Sequence, residues 1–131
     1  MKILLITDYF PPEIGSASHL FYELGEELAK QGNKVSVITG FPKYNIDKKE
    51  ISNKYKNNLL INEKIKGMNI YRVKRLNLPK DINVLRGINQ FITAGIYLIR
   101  GLFKIDYDYI LTYSPPLPLG LTSYFFKLFK N

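Results

Sequence analysis

Six residues have types and positions suited to polar chemistry: Asp8, Gly15, Ser16 and His19 near the start of the chain, and Thr112 and Ser114 near its far end. Asp8 closes a strand-length apolar run, Ile3-Leu4-Leu5-Ile6, where its carboxylate either hydrogen-bonds ligand hydroxyls or merely caps a turn. Gly15 and Ser16 end a loop, Asp8-Tyr9-Phe10-Pro11-Pro12-Glu13-Ile14-Gly15-Ser16, that feeds a helix. Small residues ahead of a helix leave backbone N–H groups and the positive end of the helix dipole open to an anionic phosphate. The plainer reading is a glycine that only turns the chain. His19 is the one histidine, a turn into that helix, and serves either a ligand oxygen or the local structure. Thr112 and Ser114 stand just before Pro115-Pro116 at the end of a later strand. Ligands of open parallel sheets bind outside the carboxyl ends of the strands, so these residues are expected to face the cleft that holds Gly15. No residue is singled out as catalytic.

Hydrophobic periodicity supplies the elements that must position them. A β-loop-α-β unit opens the chain, with a strand at 3–6, a helix over 17–31 and a second strand Val35-Ser36-Val37-Ile38-Thr39-Gly40. Within the helix Leu20, Phe21, Leu24 and Leu28 form one apolar face, expected to pack on the sheet, with Glu23, Glu26, Glu27 and Lys30 opposite. Ser16 is the expected N-cap, and Gly32 followed by Asn33 the φ > 0 stop. Lys66-Gly67 is expected to turn a hairpin between Leu60-Ile61 and the run Met68 to Val73. A second helix is expected over 82–104, then a strand ending at Thr112 and a last helix over 117–131. This order, β-α-β-β(hairpin)-α-β-α, describes an α/β fold with a doubly wound parallel sheet.

At 131 residues, 46% hydrophobic and 23% charged, the chain is expected to bury the core of one globular domain. Its lack of cysteine excludes disulfides, thiolate metal sites and cysteine nucleophiles. Walker, HExxH and GxSxG motifs and metal-spaced clusters are missing, and without GxGxxG a dehydrogenase is disfavoured; no metal or cofactor is expected. Met1-Lys2 leads directly into a short strand with no signal-peptide pattern, so the expected compartment is cytoplasmic.

Charge is concentrated in one stretch. Between Lys43 and Lys80 lie eleven basic residues against three acids, which accounts for the whole net charge of +8. Lys48, Lys49, Lys54 and Lys56 within it suit an anionic lipid surface, each cation adding about 1 kcal/mol near such a surface; the alternative is a solvated lysine-rich face. The helix over 82–104 gives a second membrane hint. Its dense apolar stretch, 91–103, includes Arg100 and falls short of the roughly 20 residues that span a bilayer, leaving either the core side of the sheet or a shallow seat among headgroups. The apolar face of the last helix is expected to lie exposed, as does an unpaired edge of the sheet.

Two stretches carry a family resemblance. Residues 2–42, with Tyr9-Phe10-Pro11-Pro12-Glu13-Ile14-Gly15 and Leu24-Gly25-Glu26-Glu27-Leu28-Ala29-Lys30-Gln31-Gly32-Asn33-Lys34-Val35-Ser36-Val37-Ile38-Thr39-Gly40-Phe41-Pro42, resemble the start of family 4 glycosyltransferases of the GT-B fold. Asp106-Tyr107-Asp108-Tyr109-Ile110-Leu111-Thr112-Tyr113-Ser114-Pro115-Pro116-Leu117-Pro118 is similar to a later strand and turn of the same domain. Within the family, cell-surface polysaccharide enzymes acting on amino sugars are the most similar. One local departure is Ser16, where many members have the second glycine of a pair.

The resemblance implies a Rossmann-like, truncated N-terminal half of a GT-B fold over residues 1–131, with a basic hairpin-containing insertion at 43–80. Such a half holds mainly the acceptor, so a separate chain is expected to supply the nucleotide-sugar domain. The implied reaction moves a sugar from a nucleotide-sugar to a lipid-linked or polysaccharide acceptor, with retention and without metal, at the inner face of the cell membrane. Nucleic acid is not an expected partner. The alternative is a non-catalytic remnant or interaction module, and a weaker one is a small phosphate-binding protein standing alone.

Overall fold

A computed structural model of the chain describes residues 1–43, 46, 53–76, 78–79, 81–114 and 116–130. Its centre is β1 (Lys2–Ile6), an apolar strand whose side chains alternate between two cores. Leu4 and Ile6 enter one cluster, Ile3 and Leu5 the other. A strand covered on both faces is buried along its length, which is why β1 reads as a continuous apolar run and β2 (Lys34–Gly40) places only the small polar residues Ser36 and Thr39 among its buried apolar ones.

Among the described residues the strands form one five-stranded sheet, in the order β3-β4-β2-β1-β5. β4 (Met68–Val73), β2, β1 and β5 (Tyr109–Thr112) are parallel, and β3 (Leu60–Ile65) runs antiparallel at the edge. The expected hairpin joins β3 to β4: Lys66 and Gly67 both have positive φ, 49° and 82°, the combination a two-residue type I′ turn requires. A short helix, α2 (Asn53–Lys56), precedes it.

Helix α1 (Ser16–Lys30) covers one face of the sheet. Its C-terminus is a Schellman motif: Asn33 N–H donates to Leu28 O and Gly32 N–H to Ala29 O, with Gly32 at φ 86°. Two expectations for α1 are corrected. Ser16 is the first helical residue rather than the N-cap; Gly15 holds the cap position, and among the described residues no side chain caps the helix. The buried face is Ser18, Phe21 and Gly25, while Leu20 and Leu24 are exposed. Gly25 accounts for the rotation, because a side chain there would run into Met68 and Leu5, so the helix makes its close approach at this residue.

Helices α3 (Asn83–Lys104) and α4 (Pro118–Lys130) cover the other face. They cross tightly where Gly101 meets the Phe126 ring, and Thr122 Oγ1 donates to Ala94 O at 3.1 Å. The result is a three-layer α/β arrangement with a mostly parallel sheet, compatible with a Rossmann-like fold. Among the described residues no helix is long and apolar enough to cross a membrane.

Candidate functional site

The strands β1, β2, β4 and β5 end along one edge of the sheet, and the loops that leave them meet there around Arg75. This residue lies two positions beyond β4, and its side chain is 10% exposed. Its Nη1 lies 2.8 Å from Asp8 Oδ1 and donates to Asp8 O at 3.2 Å. Its Nη2 donates to Phe41 O at 2.8 Å and to Glu13 Oε1 at 3.3 Å. One guanidinium thus ties together the loops after β1 and β2. Gly40 makes room for it, since a side chain at that position would collide with the Arg75 side chain.

Glu13, almost fully buried, fixes the loop further: it accepts the Lys43 N–H at 2.8 Å and the Phe10 N–H at 3.4 Å. Arg72, also buried, ion-pairs with Glu63 on β3 and donates to Pro11 O, so the Pro11-Pro12 segment is held from below as well. Tyr97 of α3 donates its hydroxyl to Asp8 Oδ1 at 2.9 Å.

Two of these groups are shifted in the same sense. Burial pushes the Tyr97 hydroxyl well above the usual tyrosine range, and the facing Asp8 carboxylate adds to it. Burial opposes the charge of Arg75, but the carboxylates of Asp8 and Glu13 outweigh it and hold the guanidinium above its ordinary value. A folded pKa above the unfolded one stabilises fully below the unfolded value and is lost as pH rises through the folded one. For Tyr97 that places the loss above about pH 10. Unfolding free energy measured by urea titration should therefore decline above that pH, and Tyr97→Phe should flatten the decline; an equal slope in both proteins would assign it to other groups.

Above the network opens a cleft of about 260 Å³. Asp8 and Tyr9 from the β1 loop, Lys43 from the β2 loop, Arg75, Leu76 and Leu78 after β4 and Pro116 after β5 line one side. Arg86, Asn89, Gln90 and Thr93 from the first turns of α3 line the other. Asn89 Oδ1 is buried and has no hydrogen-bond partner among the described residues. Tyr9 also lines a neighbouring hollow of about 170 Å³ formed by Glu13, Ile14, Gly15, Ser16, Ala17 and Ser18 at the start of α1. The first helical bond there is His19 N–H to Gly15 O, so the N–H groups of residues 16–18 precede the α-helical ladder, and the buried Ser18 Oγ has no hydrogen-bond partner among the described residues. Donors that converge without a capping side chain suit an anionic oxygen. Gly15 itself is in extended backbone at φ 170°, and a side chain there would meet nothing within 4 Å. The chain does not require glycine at this position; only a ligand lying against it would.

The candidate residues are thus divided. Asp8 lines the cleft, and Gly15 and Ser16 line the hollow. His19 is exposed on α1 and lines neither. Thr112 turns away from the cleft to hydrogen-bond Ser123 of α4, and Ser114 is exposed beside it, leaving Pro116 as the contribution of that loop. Lys48 and Lys49 lie outside the described residues; Lys54 and Lys56 belong to α2, where Lys56 is exposed and does not line the cleft. No group of three or more potential metal ligands occurs among the described residues.

No known protein-family model matches the chain, and no curated protein is similar enough to count as a relative. The site must therefore be read from its own chemistry. Arg75, Lys43, Glu13 and the α3 line escaped the sequence reading, although the reasoning applied to Asp8 extends to them: Lys43 and Arg75 follow strand ends on the same edge. The line Arg86, Asn89/Gln90, Thr93, spaced i, i+3/i+4, i+7, is a polar stripe along the first half of α3.

Proposed function

We propose that the chain is the acceptor-side domain of a GT-B-type glycosyltransferase, which receives a lipid-linked or polysaccharide acceptor for transfer from a nucleotide-sugar held by a donor domain. One observation carries the reading: the cleft at the carboxyl edge of a parallel sheet joins cations, Lys43, Arg75 and Arg86, to neutral polar groups, Asn89, Gln90 and Thr93. Arginine and lysine suit phosphate oxygens, whereas amides and a hydroxyl suit the alternating donors and acceptors of a sugar. The resemblance in residues 2–42 and 106–118 points the same way. The hollow at Gly15-Ser16 offers a second place for a phosphate, on the donor side. Asp8, engaged by Arg75 and Tyr97, holds the floor of the cleft in position.

The test is an NMR titration of the chain with a short-chain prenyl diphosphate sugar, with inorganic diphosphate and with a nucleotide-sugar in parallel arms. Saturable shifts at Asn89, Gln90 and Thr93 are expected with the prenyl diphosphate sugar, weaker ones with diphosphate alone. Absence of shifts in that cleft with any of the three would overturn the acceptor reading. It would leave the second reading, an interaction module, which is favoured by β5, a sheet-edge strand hydrogen-bonded on one side to β1.

A further inference from the structure

Helix α3 buries Thr93, Ala94, Tyr97 and Gly101 against the fold, and its opposite side carries an apolar line, Val84, Ile88, Phe91, Ile99 and Phe103, all exposed. The line reads alike from both ends. Val84 and Phe103, Ile88 and Ile99, and Phe91 and Gly95 stand in pairs at equal distances from a midpoint near residue 93, and the innermost pair sets a ring against a missing side chain. The space over Gly95 is open, since a Cβ there would meet nothing within 4 Å. Helix α4 repeats the arrangement at the same height. Thr122, which donates to Ala94 O, marks its midpoint, and the exposed Gly120 and Tyr124 stand equally far to either side of it. A Cβ on Gly120 would likewise meet nothing.

Charge is sorted away from this face. Arg86 lines the cleft, Arg100 donates to Asn62 and lies over the Tyr71 ring, and Lys130 sits beside Asp108 and the Tyr107 ring. Lys104 follows Arg100 by one turn, and Lys127 follows Ser123 by one turn on the flank toward β5. Neither helix has a carboxylate. What faces outward is uncharged and rich in aromatic rings, the composition of the buried centre of a protein interface. Phe91, Phe103, Tyr124 and Phe125 are between 41% and 80% exposed and together present on the order of 500 Å². With the aliphatic residues between them, the face reaches the roughly 800 Å² that each partner buries in a stable interface.

We infer that this face is a twofold interface between two copies of the chain, with α3 antiparallel on the partner's α3 and α4 on its α4. A twofold axis crossing the helices at the level of residues 93 and 122 reverses their direction and lays each line on itself, the self-complementarity that such a contact requires. Phe91 then fills the space over the partner's Gly95, Tyr124 fills that over the partner's Gly120, and Ile88 meets the partner's Ile99. Arg86, Asn89 and Gln90 belong to another flank of α3, so the contact does not depend on what the cleft binds.

The chain has no cysteine, so introduced thiols report the register. Oxidation of the double variant Ile88→Cys with Ile99→Cys should give a covalent dimer, whereas either single variant should stay a single chain. Within one helix the two positions lie about 16 Å apart, beyond the roughly 7 Å between Cα atoms that a disulfide can bridge, so they cannot bond to each other in one copy. Sedimentation equilibrium of the unaltered chain should show monomer and dimer in exchange. Gly95→Leu fills the open space with a better helix former, so it should weaken the dimer about tenfold or more with an unchanged circular dichroism spectrum. The interface is overturned if the unaltered chain sediments as a monomer throughout the micromolar range, if the single cysteine variants cross-link as readily as the double one, or if Gly95→Leu dimerises undiminished. A monomer that instead co-sediments with phosphatidylglycerol vesicles would overturn it as well and give the face to a membrane.

Discussion

Arg75→Met is expected to lower the unfolding free energy by about 3–5 kcal/mol, the range for removing one partner of a buried ion pair. The expectation follows from what it would leave behind. Glu13 has a side chain only 1% exposed, and Asp8 one 16% exposed; both face the guanidinium, and Phe41 O accepts from it as well. Methionine fills much of the volume but donates nothing, so the Asp8 and Glu13 carboxylates would lose their cation, and the Asp8 and Phe41 carbonyls a donor, in a place where water replaces it poorly. Urea unfolding measures the effect. A loss below about 1 kcal/mol, typical of exposed pairs, would mean that the network is solvated and does not hold the loops.

The same logic predicts a partial rescue. Glu13→Gln in the Arg75→Met background removes one stranded charge while keeping acceptor capacity for the Lys43 N–H, so the double variant should be more stable than Arg75→Met alone. Stability equal to or below that of the single variant would shift the cost from charge to packing.

The parallel core was legible because β1 and β2 are covered on both faces, which makes β1 an uninterrupted apolar run and β2 a largely apolar one, and because Lys66-Gly67 admits the two positive φ angles of its turn. The α1 face was misread for a physical reason. Counting apolar side chains favours the line of Leu20 and Leu24, but the helix docks through Gly25, where the lack of a side chain permits contact with Met68 and Leu5, and periodicity does not register a missing side chain. The site divides in the same way. Asp8 could be found from its position at a strand end. Its partner Arg75 is 67 residues away, and Glu13 is 62 from Arg75, so their convergence is a product of strand order and not of any local pattern. Thr112 ends a strand on the correct edge, yet points to Ser123 because α4 packs beside β5.

Arg86 offers the sharpest separation between holding the fold and holding a ligand. It lines the cleft from α3, is exposed, and among the described residues its side chain hydrogen-bonds Asn83, one turn earlier, at 3.1 Å. Arg86→Glu should therefore leave urea unfolding within about 0.5 kcal/mol of wild type, as surface substitutions do. Its effect on a prenyl diphosphate sugar should be large. A hydrogen bond to a charged group contributes about 1.5–3 kcal/mol, and the reversal adds repulsion to its loss, so affinity should fall on the order of 100-fold. The fall should lessen as salt is raised, because the lost term is electrostatic and the site is open to solvent. Arg86→Gln, which retains a donor without charge, should lie between the two. Isothermal titration of the three proteins decides the matter: equal affinities would remove Arg86 from the site and confine anion recognition to Lys43 and Arg75, whereas a loss shared with destabilisation would make it one more strut of the fold.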